Sequence, residues 1–202
     1  MDFALSDEQE LLRREARSVL ANGGWTRHDV AELAFLDRAV VIEEAGRANR
    51  GDEFFSPDDD EPEQLASLAL EAAGIAQHAL GVAVQHAKTR EQFGRPIGAY
   101  QAVAHPLADT YVESELARSL AYWAAWCTAE RDEQTQVAVA AAKSYAGDVA
   151  VRACERAIQI LGGIGFTWEH PLRTYYTRAL WIQAYGGYAR EHRATIAAWL
   201  LD

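Results

Sequence analysis

The stretch from Glu63 to Gln92 most constrains how this chain of 202 residues can fold. Leu65, Leu68, Ala69, Ala72, Ile75, Ala76, Ala79, Val82 and Ala83 recur at helical spacing, over a face too wide for a single contact stripe. A helix with so broad an apolar face must be buried on most sides. Its many alanines let neighbouring helices come close. Partners of matching length are therefore required, and the sequence offers two, from Tyr100 to Arg131 and from Gln134 to Leu161. Gly94-Arg95-Pro96-Ile97-Gly98 separates the first two long helices, and Pro106 sits too near the start of the second to break it. Two shorter helical pieces, about Pro171 to Trp181 and Gly187 to Leu200, follow. No sustained alternation of β-branched residues marks a strand. The expectation is an all-α helical bundle with long antiparallel helices and short connections.

Upstream, Ser6-Asp7-Glu8-Gln9 forms a capping box, and Leu12, Ala16, Val19 and Leu20 share one helical face up to the stop at Asn22-Gly23-Gly24. A second helical region is predicted from about Asp29 to Ala48. The clearest break covers residues 51–62. It carries Ser56-Pro57, the acidic run Asp58-Asp59-Asp60-Glu61, and Pro62 at a favourable first helical position. The chain thus divides into an N-terminal helical segment (1–50), an acidic linker (51–62) and a C-terminal helical bundle domain (63–202).

The net charge of −11 is uneven: the first 64 residues hold seventeen acids against seven bases, the remainder thirteen against twelve. No basic stripe exists to neutralise phosphates, so nucleic acid is not an expected partner. No continuous apolar run approaches the roughly 18 residues of a membrane span, and no membrane association is expected. The N-terminus has neither a basic region nor an apolar stretch of signal length, which places the expected compartment in the cytoplasm. Cys127 and Cys154 lack CxxC spacing and read as reduced packing residues.

Two stretches can carry chemistry. The turn Arg90-Glu91-Gln92-Phe93-Gly94-Arg95-Pro96-Ile97-Gly98 sets two arginines and an aromatic ring among glycines where a long helix ends, and a guanidinium fork suits phosphate. A solvated surface turn has the same residues. Gln101 and His105 follow one helical turn apart, and no second ligand at metal spacing accompanies His105, so no metal is assigned. Gln159-Ile160-Leu161-Gly162-Gly163-Ile164-Gly165-Phe166 ends the third long helix with paired glycines, which serve as a helix cap or admit a ligand close to backbone.

Arg90-Glu91-Gln92-Phe93-Gly94, with Ile97-Gly98-Ala99-Tyr100-Gln101-Ala102-Val103-Ala104-His105 and Leu107-Ala108-Asp109, resembles a signature of the acyl-CoA dehydrogenase family. Gln159 to Phe166 is similar to that family's second signature, in the expected order and spacing. Met1 to Gln9 and Val41 to Ala48 resemble its N-terminal helical domain. The resemblance implies a fold like the family's C-terminal four-helix domain, and FAD bound between two subunits. It places Arg90 at the diphosphate of a FAD held mainly by a neighbouring subunit. Phe93 accompanies it in the same motif, while Gln101 and the stretch Gln159, Ile160, Leu161, Gly162 and Gly163 line the adenosine half.

Three departures qualify this. The family's β-barrel domain has no counterpart between the two helical parts, where Phe54-Phe55-Ser56-Pro57 runs straight into the acidic linker. Gly186 occupies the place of the catalytic glutamate, so general-base catalysis from that position is excluded and no catalytic residue is assigned. Tyr188 and Arg190 replace the Thr and acid that usually follow. In a subset of the family the base lies at the start of the first long C-terminal helix, where Gln64 is best registered and Glu63 reads as an exposed first-turn acid.

The resemblance therefore implies a degenerate subunit of a heteromeric acyl-CoA dehydrogenase, inactive alone, that completes the FAD site of a full-length partner. The expected assembly is a heterotetramer acting on acyl-CoA or a carrier-bound acyl thioester. Homodimerisation is also expected, because losing a middle domain should uncover apolar faces of the long helices. The alternative is a non-redox relative: an acyl-thioester lyase or cyclase, or a binding and assembly module, whose aromatics (Tyr111, Tyr122, Trp123, Trp126, Trp168, Tyr175, Tyr176, Trp181 and Tyr185) line an apolar pocket or an interface.

Overall fold

A computed structural model describes residues 5–201; Met1 to Ala4, part of one resemblance above, and Asp202 lie outside the described residues. The wide apolar face of the first long helix accounts for the architecture. This helix, α3 (Glu61–Thr89), has Leu68, Leu70 and Ile75 almost wholly buried and contacts neighbours on several sides. It is long and apolar enough to cross a membrane by length and composition, yet 67% of that window is buried inside the protein. It packs against α4 (Gln101–Glu130) and α5 (Thr135–Leu161), and α6 (Leu172–Ala184) completes a four-helix arrangement. Tyr175, Arg178 and Tyr185 meet His78, Glu71 and Gln64 in turn, so α6 runs antiparallel to α3. A final helix, α7 (Ala189–Leu201), lies on α5.

The ends are set by local chemistry. Asp60 caps α3 by accepting from the Glu63 amide at 3.0 Å, and Pro62 fits the first turn. Between α3 and α4 the only strands among the described residues, β1 (Glu91–Gln92) and β2 (Arg95–Pro96), form a two-residue antiparallel hairpin. The all-α expectation stands.

Two further helices dock on the bundle. Helix α1 (Asp7–Ala21) starts at the expected capping box: the Ser6 hydroxyl accepts from the Gln9 amide, and the Ser6 amide donates to the Gln9 side chain, both at 3.2 Å. The region expected as one helix from Asp29 is instead a 3₁₀ turn, Arg27–Val30, followed by α2 (Phe35–Arg47). Asp29 accepts from the Thr26 amide at 2.6 Å, which closes the short turn and lets Val30 reach the core before the chain restarts as a helix.

Helices α2 and α3 touch backbone to backbone. A Cβ added at Gly46 would lie 2.2 Å from the Glu71 carbonyl oxygen, and one at Gly74 would lie 2.1 Å from that of Glu43. This close crossing buries three carboxylates, Glu43, Glu44 and Glu71, and each is paired. Arg17 donates to both oxygens of Glu44 at 2.9 and 2.7 Å. Glu43 accepts from Arg118 at 2.8 Å and from the Tyr122 hydroxyl at 2.7 Å. Burial and this carboxylate push the Tyr122 phenol far above its usual range, so it stays a donor. Arg178 donates to both oxygens of Glu71 at 2.6 and 2.9 Å. Buried carboxylates persist only when so paired. The Glu43 pairing ties α2 to α4 of the bundle, that of Glu44 ties α1 to α2, and that of Glu71 ties α6 to α3.

Residues 51–62 are packed rather than slack. Gly51 and Phe54 are buried, and Phe55 sets its ring edge-on to Trp181 and Tyr185 at 5.4 and 5.1 Å. Arg27 holds Asp59 through both guanidinium nitrogens.

Candidate cofactor-binding site

Short connections place the ends of α3, α4 and α5 that carry the sequence motifs at one end of the bundle. Arg156 on α5 donates to the Thr110 hydroxyl and to Glu113 on α4, each at 3.0 Å, so the start of α4 lies beside the end of α5. Thr89, the last residue of α3, lines one cleft of about 630 Å³ together with Leu161 and Ile164.

The hairpin is built around a tight turn with Phe93 at φ 51° and Gly94 at φ 77°. Positive φ on a bulky residue is uncommon and costs energy. Here it throws the Phe93 ring out to 92% exposure. Behind it, Arg95 lies over the Tyr100 ring at 4.0 Å, and the Tyr100 hydroxyl donates to the Gln92 carbonyl at 3.0 Å. Arg95, which the turn offered as a second arginine, is thus stacked on its own loop. Arg90 is exposed and makes no ion pair among the described residues; its amide donates to the His86 carbonyl and its carbonyl accepts from Ile97. Gln101 and His105 are exposed at the start of α4.

At the end of α5, Gln159 is exposed, Ile160 is half-buried against the core and Leu161 is buried. Gly162 takes φ 66° and ψ −140°, a conformation closed to other residues, and opens a 3₁₀ turn, Gly162–Phe166. A Cβ added at Gly162 or Gly163 would meet nothing within 4 Å. Packing within the chain therefore gives Gly163 no reason to be glycine, whereas a ligand or a second chain lying on the backbone would. The neighbouring Ile164, Phe166 and Trp168 are 54, 79 and 86% exposed. A phosphate-seeking guanidinium, an exposed ring, two amides and a bare glycine backbone at one end of the bundle match the needs of a dinucleotide's diphosphate and adenosine.

The place of a base is different. Gly186 takes φ 68°, and a Cβ there would lie 2.6 Å from Leu65 Cδ2 at the start of α3. Next to it, the Tyr185 hydroxyl donates to Gln64 Oε1 at 3.3 Å, and Tyr185 stacks on Trp181 at 4.9 Å. Positions 186 and 64 thus lie side by side, and neither carries an acid. Glu63 lies in the first turn but is not the exposed acid expected: it accepts from Arg38 Nη2 at 2.6 Å and is 24% exposed. No group of three metal-ligating side chains occurs among the described residues.

Of the long helices, α3 is largely covered, whereas α4 leaves Tyr111, Val112 and Leu116 exposed. Sequence reasoning also missed the buried carboxylates; Arg47 lies within 4 Å of Glu43 and Glu44 at local spacing, but the hydrogen-bonded arginines Arg17, Arg118 and Arg178 lie at least 27 residues away, where no local spacing signals them.

The profile of the acyl-CoA dehydrogenase C-terminal domain matches residues 65–201. Acyl-CoA dehydrogenase FadE34 of Mycobacterium tuberculosis is 45% identical over 139 residues, which cover 67% of this chain and 20% of FadE34. Acyl-CoA dehydrogenase IpdE2 of the same organism is 36% identical over 156 residues, 77% of this chain and 46% of its own length. Among solved structures, butyryl-CoA dehydrogenase from Megasphaera elsdenii aligns with a TM-score of 0.66 at 32% identity, over 79% of this chain and 38% of that one. The Tcur3481-Tcur3483 steroid ACAD aligns with a TM-score of 0.64 at 33% identity, over 69% and 38%. The chain spans less than half the length of each of these relatives.

Proposed function

This chain belongs to the acyl-CoA dehydrogenase family, and we propose that it is the non-catalytic subunit of a heteromeric, flavin-dependent acyl-CoA dehydrogenase. In this reading a full-length homologous partner holds most of a FAD and supplies the base, and this chain closes the adenosine end of the cofactor. The observation that carries it is the contrast between two positions. Where the family places its glutamate stands Gly186, backed by Leu65 and beside the Gln64–Tyr185 contact. Where the cofactor edge is expected, Arg90, Phe93, Gln101 and Gln159 are all exposed, and Gly162-Gly163 presents open backbone.

FAD supplies the hydride acceptor for α,β-desaturation of an acyl thioester. This chain's own residues bind and orient. The Arg90 guanidinium donates to the diphosphate, Phe93 offers its ring to a flat face, and the Gln101 and Gln159 amides give matched donors and acceptors to adenine or ribose. The bare backbone at Gly162-Gly163 lets the adenosine lie close, and Ile160 and Leu161 fix that turn on the bundle. With no acid at 186 or 64, the α-proton must be taken by the partner. The family relation supports an acyl-CoA or carrier-bound acyl thioester as substrate. The paired designation Tcur3481-Tcur3483 of a similar steroid ACAD agrees with a two-chain enzyme and makes a steroid acyl thioester a reasonable first substrate to assay.

The test is co-expression with a full-length homologue that keeps its glutamate. The expected product is a yellow heteromer, with this chain colourless when purified alone. Arg90→Ala should lower flavin retention by about tenfold, the loss of one charge-assisted diphosphate contact. A co-purified complex without flavin sinks the proposal. Flavin retention unchanged by Arg90→Ala would favour the non-redox alternative.

A further inference from the structure

We propose that a pocket beneath α7 is a second ligand site, for small uncharged molecules with an apolar body and one hydroxyl group. The pocket has a volume of about 470 Å³, within the range of small-molecule sites, and lies between the starts of α3 and α5 and the face of α7. Its lining begins at Glu133 and Thr135, and Thr135 is a whole length of α5 away from Gly162, on the order of 40 Å along the helix. It is therefore separate from the cofactor edge and does not depend on the function proposed above.

The floor consists of Leu65, Val139, Ala140 and His192, all buried. Three of these are apolar and suit a hydrocarbon. The fourth is not: His192 is 8% exposed, and its Nε2 is buried with no hydrogen-bond partner. A buried polar atom without a partner is costly, and one that lines a cavity calls for a ligand atom. A hydroxyl is the simplest match, because it can donate or accept and so serves Nε2 in either tautomer.

The surrounding charges select against ions. Glu61 and Glu133 stand at the rim and repel an anion. Lys143, buried one turn beyond Val139 and Ala140 on α5, opposes a second cation at the floor. The groups acting on His192 are Lys143 from α5, Glu61 from α3, Glu191 on its own helix and the Gly187 backbone. Burial, with Lys143 next, holds the imidazole below its ordinary pKa and hence neutral. A neutral floor with an acidic rim favours a neutral guest.

The test is an NMR titration of the isotope-labelled full chain with cyclohexanol, cyclohexanecarboxylate and cyclohexylamine, the His192 ring signal being assigned with His192→Gln. Cyclohexanol should give a saturable shift of that signal. The two ions should bind about tenfold more weakly or not at all, and His192→Phe should weaken cyclohexanol by about tenfold. A half-blocked rim, Thr195→Trp, supplies a variant that leaves the buried floor intact and should abolish the shift. An absent or non-saturable shift overturns the proposal. So does equal binding of either ion, or cyclohexanol affinity unchanged in both His192→Phe and Thr195→Trp.

Discussion

Removing the guanidinium from Arg178 should destabilise the protein strongly, and by an amount that depends on pH. The side chain of Glu71 is 3% exposed, and Arg178 meets both of its oxygens, at 2.6 and 2.9 Å. Arg178→Ala leaves that carboxylate buried and unpaired, a situation that costs about 3–5 kcal/mol. For a chain of 202 residues this lowers Tm by roughly 6–20 °C, at about 2–4 °C per kcal/mol. Burial already raises the Glu71 pKa above its ordinary value, and losing Arg178 removes the largest opposing influence. A carboxyl whose folded pKa is raised binds its proton more tightly in the native state, so native stability falls as pH rises through the window between the unfolded value, about 4.3, and the raised one. The deficit of Arg178→Ala relative to the wild type should therefore be largest at pH 7.5 and shrink towards pH 5. The double variant Glu71→Leu/Arg178→Leu should recover most of the loss at either pH, because an apolar pair carries no desolvation cost. Thermal melts followed by far-UV circular dichroism at the two pH values decide it. A deficit below about 1 kcal/mol, or one of equal size at both pH values, refutes the reasoning.

Two further substitutions test the packing. Gly74→Ala places a methyl 2.1 Å from the Glu43 carbonyl, where only backbone can yield, and should destabilise by about 2–4 kcal/mol in urea unfolding even though alanine is the better helix former. Burial lowers the Lys143 pKa from 10.5 to about 8, and among the described residues its ammonium makes one long hydrogen bond, 3.5 Å to the Gln183 carbonyl. A base with a depressed native pKa weakens the fold below that value and ceases to do so above its unfolded pKa. Lys143→Met should thus stabilise by about 1–3 kcal/mol at pH 7, with the gain fading towards pH 10.5; a variant no more stable at pH 7 would contradict this.

The parts of this fold that depend on local chemistry were readable in the sequence. The Ser6–Gln9 capping box, Pro62 in the first turn of α3 and the glycine stop at Gly162 all follow from short-range hydrogen bonding and φ preferences. The parts that depend on distant partners were not. Gly46 and Gly74 look like ordinary weak points in helices, and only the crossing that sets them against the Glu71 and Glu43 backbones turns them into close contacts. Glu43, Glu44 and Glu71 carry the pattern of a solvated face, yet they are buried, each held by an arginine from a different helix, α4, α1 and α6 in turn. Glu63 read as an exposed acid because its partner, Arg38, lies 25 residues upstream. At the candidate cofactor site the sequence offered a glycine cap and an arginine turn, which serve a solvated surface as well as a ligand. Which side chains turn outward depended on the Phe93-Gly94 turn and on Arg95 stacking over Tyr100. That position 186 carries no acid was plain from one letter; that Leu65 and the Gln64–Tyr185 contact stand beside it was not.

The packing of residues 51–62 bears on how such a chain can be engineered. The segment spends Phe54 on the core, Phe55 on the α6 aromatics, Asp59 on Arg27 and Asp60 on the start of α3. A tag, reporter or grafted domain spliced there would pull out all four anchors together. The solvent-facing turn at Gly23 has open space around the glycine and is tied to the rest of the fold by one side chain, Arg50 on the Gly24 carbonyl, so it is the better splice point for a fusion.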